Sequence, residues 1–299
     1  MIGAARPIRH RAAGRFPRRA IDRSPVLDQV RTFYRRRIEI PVDSTGLVLD
    51  VGSGDRPHWR ADVLVDRHPG EDMAGQRSGG RTARVTRPLF DADAAAMPFT
   101  DGVFDFVVCS HVLEHVVDPG AVIDEMCRVG RAGYIEVPDV AMAKISDFPS
   151  HLWWCRMDGD TLVFTAKRQP FFDADIDDLI SRSAIAGRLD RLFGSVLEHC
   201  IVAVHWRGSM RYRVEGSPSE EMITATREST GRHHTGHVAV GRALNGAFAL
   251  GLRHKRRREP VRYDDIVEPA LRRGSDEVLV PRIYHAHDAA APDRAHERQ

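Results

Sequence analysis

Five short apolar runs divide the first half of the chain, and most of them end in an acid. Leu47–Val51 carries Leu47-Val48-Leu49 into Asp50, and Asp62–Val65 carries Val63-Leu64-Val65 into Asp66. Pro88–Asp91 is shorter, Phe104–Cys109 is apolar apart from Asp105, and Gly133–Val137 gives way to Pro138-Asp139. Runs without polar alternation suit strands buried on both faces, as in a parallel sheet covered by helices. Between the fourth and fifth runs the period changes. Val122, Met126 and Val129 share one helical face, Asp118 stands where a cap is needed, Pro119 opens the first turn and Gly130 stops the helix. Only about ten residues separate the first two runs, fewer than a helical crossover uses. Any helix there has one turn at most, so Ser53–Arg60 reads as a loop exposing His58 and Trp59, and 67–87 as a surface loop.

The second half is less regular. Residues 140–172 read as an insertion over the strand ends, with a hairpin of Trp153–Arg156 and Thr161–Thr165 around Asp158-Gly159-Asp160. A helix is expected from Asp173 to Phe193. A second hairpin follows, His199–Trp206 and Ser209–Val214 around Arg207-Gly208. These elements make 25–216 one domain, led by a helix from Pro25 to Arg37 with Ser24 as its cap. Residues 1–24 form a basic arm without apolar periodicity, expected to be disordered. Residues 217–299 read as an extension, helical where Val240, Leu244, Phe248 and Leu252 recur, and disordered from Pro281 onward.

Composition narrows the class. Hydrophobic residues at 42% can build a core, and no apolar run approaches the roughly 20 residues of a membrane span. The N-terminus has no apolar h-region. Cys109, Cys127, Cys155 and Cys200 stand far apart with no C-x-x-C, so neither a zinc site nor a disulfide framework is indicated, and a cytoplasmic protein is expected. The net charge of +2 conceals basic ends: eleven arginines lie in residues 1–37, and Arg253–Arg258 is basic throughout. Such ends could contact an anionic membrane or nucleic acid weakly, or form solvated arms.

The chemistry starts at Gly52-Ser53-Gly54. Two glycines one residue apart after a strand allow a tight turn and the close approach of a ligand. Asp66, ending the next strand, can accept hydrogen bonds from ribose hydroxyls. Together they ask for an adenosine-bearing cofactor. The dinucleotide fingerprint G-x-G-x-x-G fails at Pro57, which lacks the N–H of a pyrophosphate cradle. From Asp93 the chain reads Asp93-Ala94-Ala95-Ala96-Met97-Pro98-Phe99, then Asp101, Phe104-Asp105, Val112-Leu113-Glu114-His115 and Asp118-Pro119. With the glycine turn, this run resembles the class I S-adenosyl-L-methionine-dependent methyltransferases, in particular a broad bacterial group, over about residues 45–140.

That resemblance implies an α/β fold: a Rossmann-like, seven-stranded, mostly parallel sheet with a terminal antiparallel hairpin, here flanked by basic extensions. It also implies roles for individual residues. Asp50, Gly52, Ser53 and Gly54 would form the loop at the amino-acid part of the cofactor. Asp66 would hold the ribose, Asp93 and Ala94 the adenine, and Ser110 and His111 would stand near the sulfonium. Where the family has a third glycine this chain has Arg56.

Methyl transfer from a sulfonium asks mainly for alignment and exclusion of water. His111 and His151 are the candidate bases where the acceptor must lose a proton. His111 and His115 are spaced for a metal pair, but no third ligand is apparent, so no metal is expected. Glu114 reads as a capping or solvated acid. After the fourth run stands Ser110-His111-Val112-Leu113, not the Pro-Pro tetrad of amino-methylating enzymes on adenine or glutamine. The expected acceptor is therefore an oxygen or amine of a small molecule, sugar or lipid-linked glycan. The competing reading is a non-catalytic protein that keeps the fold and binds nucleic acid or membrane through its basic ends.

Overall fold

The computed structural model describes residues 40–67, 69–70, 82–145, 150–168, 199–228, 246–248 and 250–285. The basic arm, the leading helix to Arg37, the helix expected over 173–193 and most of the one around Val240 lie outside these residues. The apolar runs become the strands β1 (Val48–Val51), β2 (Val63–Asp66), β3 (Leu89–Asp91), β4 (Phe106–Ser110) and β5 (Ala132–Pro138). All five are parallel, and β1, β2 and most of β4 and β5 are buried.

Burial on both faces follows from alternation within each strand. Leu49 and Val51 of β1, with Val107, Cys109, Ile135 and Val137, face the main core, where helix α1 (Pro119–Val129) contributes Val122, Ile123, Met126 and Val129. Val48, Phe106, Val108, Ala132 and Tyr134 face the other side, where Ile40 and Val42 pack on them. Helix α1 begins as its sequence dictates: Asp118 Oδ1 accepts from Ala121 N at 2.9 Å, and Pro119 fills the first turn, where its missing N–H costs nothing.

After β5 come helix α2 (Val140–Ile145) and the hairpin of β6 (Trp153–Asp158) and β7 (Thr161–Ala166). A two-residue turn joins the two strands, with Gly159 at φ 63° in its first place, the position that favours glycine. The strand β8 (Ile201–Arg207) then runs antiparallel to β5, and Trp206 covers Gly133 so closely that a Cβ there would meet its ring at 2.6 Å.

Here the second expected hairpin is corrected. Gly208 turns the chain at φ 72°, but β9 (Tyr212–Glu215) does not return along β8. It pairs in parallel with β7, so β6, β7 and β9 make a separate three-stranded sheet. Apolar contents explain the choice: Tyr212 packs against the main core, and its hydroxyl bonds Asp124 of α1 at 2.8 Å.

The seventh strand comes instead from residues expected to be disordered. β10 (Ile283–His285) pairs in parallel with β3, giving the order β10-β3-β2-β1-β4-β5-β8. Before β10 lie helix α3 (Glu220–Glu228) and the single helical turn α4 (Tyr263–Ile266). Tyr263, Ile266, Val267, Leu279 and Tyr284 all belong to the main core, and Tyr284 stacks on Phe90 with ring centroids 5.2 Å apart. The C-terminal part of the chain therefore completes the sheet domain. Isolated aromatics among arginines gave no periodic signal for this.

The crossover from β1 to β2 has no helix, as expected, but His58 and Trp59 are buried rather than exposed. Buried Arg60 organises the loop: it pairs with Asp62 at 2.7 Å and donates to the carbonyls of Asp43 and Gly46 at 2.9 and 2.7 Å. No helix among the described residues is long and apolar enough to cross a membrane.

Removing a buried aromatic that stacks in a core costs about 3–5 kcal/mol. Tyr284→Ala should therefore lower unfolding stability by about 3 kcal/mol in urea titration, and deletion of residues 281–299 by at least as much. A dispensable tail would leave both midpoints unchanged.

Candidate functional site

Parallel strands bring their carboxyl ends to one edge, and the strand order reverses between β1 and β4. Open α/β sheets bind ligands in the crevice at such a reversal. The turn after β1 sits there, with Gly52 at φ 67° and Gly54 at φ 51°. Its backbone is tied to β2: the N–H groups of Gly52 and Ser53 both donate to the Val65 carbonyl, at 2.8 and 3.2 Å. Gly52 is doubly required, because a Cβ would also lie 2.3 Å from a methyl of Val112. Asp50 stabilises the loop from below, accepting from His58 N at 2.7 Å. Asp66 accepts from Gly54 N at 2.6 Å, so the acid closing β2 touches the glycine turn directly.

These residues fit an adenosine-bearing cofactor with an amino-acid end. Buried Ser53 Oγ, on the turn itself, has no hydrogen-bond partner among the described residues. A Cβ on Gly54 would meet nothing closer than 3.9 Å, so the turn has space beside it. Asp93 and Ala94 follow β3, where Asp93 Oδ1 caps the next turn through Ala95 N at 3.0 Å. Arg67, which sequence reasoning missed, holds Asp93 Oδ2 at 2.7 Å. A base bound at Asp93 has to share or displace that guanidinium, and exposed pairs of this kind are worth only ~0–1 kcal/mol.

At the end of β4, Ser110 donates to Glu136 Oε1 at 3.3 Å, and His111 has φ 57° although it is not glycine. Backbone in that region persists only where its surroundings hold it. Here they do. His111 N donates to the Glu136 carbonyl at 2.8 Å, Nε2 lies 2.9 Å from Glu136 Oε1, and Nδ1 lies 3.1 Å from Glu114 Oε1. Both carboxylates are 1% exposed, whereas the His111 side chain is 42% exposed.

Carboxylates only accept hydrogen bonds, so His111 carries a proton on each nitrogen. Desolvation works against this charged ring, but the bonds to Glu114 and Glu136 outweigh it and raise its pKa to about 9. Glu114 shows the reciprocal effect: burial disfavours its charge, yet the His111 bond holds its pKa at about 2. Glu114 is thus a buried partner of His111 rather than a solvated acid. Glu136 was also missed, although an acid between Ile135 and Val137 in a buried strand always needs a partner.

His151 is buried and remote from the glycine turn in sequence, but folding brings its ring 4.8 Å from that of His115, edge to face. The hairpin that follows is fastened to the segment after β4. His115 Nδ1 bonds the Ser150 carbonyl at 3.0 Å, Leu152 N donates to the Glu114 carbonyl at 2.7 Å, and Trp153 Nε1 donates to the Val116 carbonyl at 2.8 Å. Trp153 is part of the core, whereas Trp154 is half-buried with the Lys167 ammonium 4.3 Å from its ring centroid. Burial, then the charge of His151, lowers the pKa of His115 to about 4.

Residues 62–135 match a family model described as "Methyltransferase domain". Among curated proteins, an "Uncharacterized methyltransferase" of Mycolicibacterium gilvum (strain PYR-GCK) is 36% identical over 100 residues, covering 30% of this chain and 37% of its own. A "Demethylmenaquinone methyltransferase" of the same strain is 46% identical over 59 residues, covering 20% and 25%. The chain thus spans between a quarter and little more than a third of the length of these relatives. Among solved structures, the YcgJ protein of Bacillus subtilis aligns with a TM-score of 0.28 at 16% identity, covering 42% of this chain and 61% of that one. A likeness that low has no bearing on function. The similarity to a methyltransferase domain thus lies on residues 62–135, directly after the glycine turn at the strand reversal.

Proposed function

We propose that the protein transfers a methyl group from S-adenosylmethionine to an oxygen or amine of a small-molecule, sugar or lipid-linked acceptor. The observation that carries this reading is the hydrogen bond from Gly54 N to Asp66, which joins a left-handed glycine turn to an acid at the strand reversal. Asp66 is then placed to accept from ribose hydroxyls, Ser53 and Gly54 to border the amino-acid end, and Asp93 with Ala94 to border the adenine. The cofactor supplies a methyl group already activated by its sulfonium. What remains for the chain is to align an acceptor and keep water out.

The His111 ring, held between two carboxylates, is poorly suited to removing a proton. Its proposed role is to fix the backbone after β4 and the charge of Glu114 and Glu136 beneath the site. The hairpin of residues 150–168, strapped to that segment, supplies the acceptor side. Trp153 anchors it and Trp154 offers the flat wall. Relatives named as demethylmenaquinone methyltransferases support a small-molecule acceptor. The competing reading, a binding protein acting through basic ends, is weakened at Arg257, which is spent internally on the Thr45 carbonyl and on Glu259.

Charge-assisted hydrogen bonds contribute about 1.5–3 kcal/mol each, so Asp66→Asn should weaken S-adenosylmethionine binding at least tenfold by calorimetry. Unchanged affinity would remove Asp66 from the site, and tight NAD binding would overturn the reading altogether. The two tryptophans should separate: Trp153→Ala lowers the melting temperature by several degrees, while Trp154→Ala leaves it and cofactor affinity in place but depresses turnover. Loss of turnover and stability together at Trp154 would move the acceptor elsewhere.

A further inference from the structure

The most unusual grouping outside the cofactor loop lies under the hairpin. Glu114, His115 and His151 each direct one ligand atom into a common space, with all three atoms within 4.8 Å of one another. His111 and His115, the pair suggested by spacing, do not form this group. Glu114 replaces His111, and the third donor arrives from 36 residues further along (151 − 115). We propose that these three side chains bind a divalent transition-metal ion of the Zn2+ class, clipping the hairpin to the segment after β4.

Three features support the assignment. Glu114 is buried, and while Oε1 accepts from His111, Oε2 has no hydrogen-bond partner among the described residues. A buried carboxylate oxygen left in that state is costly and asks for a cation or a donor. His115 Nδ1 donates to the Ser150 carbonyl, which fixes the tautomer and leaves the Nε2 lone pair for a ligand bond. Metal-binding histidines are held by this kind of outer hydrogen bond, and His111 orients the Glu114 carboxylate in the same way.

The donor set is also chemically apt. Two imidazoles and one carboxylate bind Zn2+ with a fourth position open, at ~2.0–2.2 Å from each donor. Tetrahedral bonds of that length put donors ~3.4 Å apart, so binding draws atoms that lie within 4.8 Å of one another together by up to about 1.4 Å. Side chains on two different segments can make that movement. The closure tightens the contact already made by Leu152 N and Trp153 Nε1.

The test is metal uptake by full-length protein stripped with a chelator, independent of any methyl transfer. Zn2+, titrated against a chromophoric chelator, is expected to bind at one ion per chain with submicromolar affinity and to raise the melting temperature. Co2+ in its place should give visible d–d bands of nitrogen and oxygen ligation. Glu114→Gln and His151→Ala should each weaken uptake at least a hundredfold and erase the bands. Simultaneous replacement of His233, His234 and His237 by alanine, a histidine cluster elsewhere in the chain, should change neither. The proposal is overturned if the unmodified protein takes up no Zn2+ at micromolar concentration or shows no such Co2+ bands. It is equally overturned if the two variants bind as the parent does, or if only the triple replacement abolishes uptake.

Discussion

Taking Glu114 and Glu136 out of water is the costly step around which the carboxyl edge of the sheet is arranged. An ionised carboxylate without a partner in a protein interior costs several kcal/mol, and two placed near each other repel. The His111 ring answers both at once, with a nitrogen on each. His111 makes both contacts from a backbone in the left-handed region, and those bonds offset the cost of that conformation. The turn out of β4 is thereby fixed, and with it Val112, against which Gly52 packs. The glycine turn and the hairpin anchor thus rest on one electrostatic arrangement.

Much of this was legible in the chain. Apolar runs ending in acids gave five strands within one or two residues, because parallel strands buried on both faces admit little else. Asp118, Pro119 and Gly130 bounded helix α1 for local reasons, and local reasons are what a sequence states. The glycine turn and Asp66 were equally plain, since φ near +60° narrows the choice of residue.

What was hidden depends on contacts distant in sequence. β9 leaves β8 because Tyr212 finds Asp124 and the main core, a choice that the strand's own residues do not record. Glu114 looked solvated because its burial, and the approach of His151 from 37 residues later (151 − 114), arise only on folding. His58 and Trp59 looked exposed because the loop carries no periodicity, and the buried Arg60 that gathers it reads as one arginine among many. Phe90 could be assigned to a strand, but that Tyr263 and Tyr284 would cover it could not be read.

The late arrival of β10 has a consequence for how the molecule is made. Leu89 pairs with Ile283, 194 residues later (283 − 89). At the ~5–20 residues per second of protein synthesis, roughly 10–40 s pass between the emergence of one strand and the other. Throughout that interval β3 presents an unpaired edge and Phe90 lacks its cover, the state in which a nascent chain pairs with its neighbours. Contacts so widely separated also slow folding itself. On the ribosome, the β3 edge depends for its cover on β10, the last strand among the described residues.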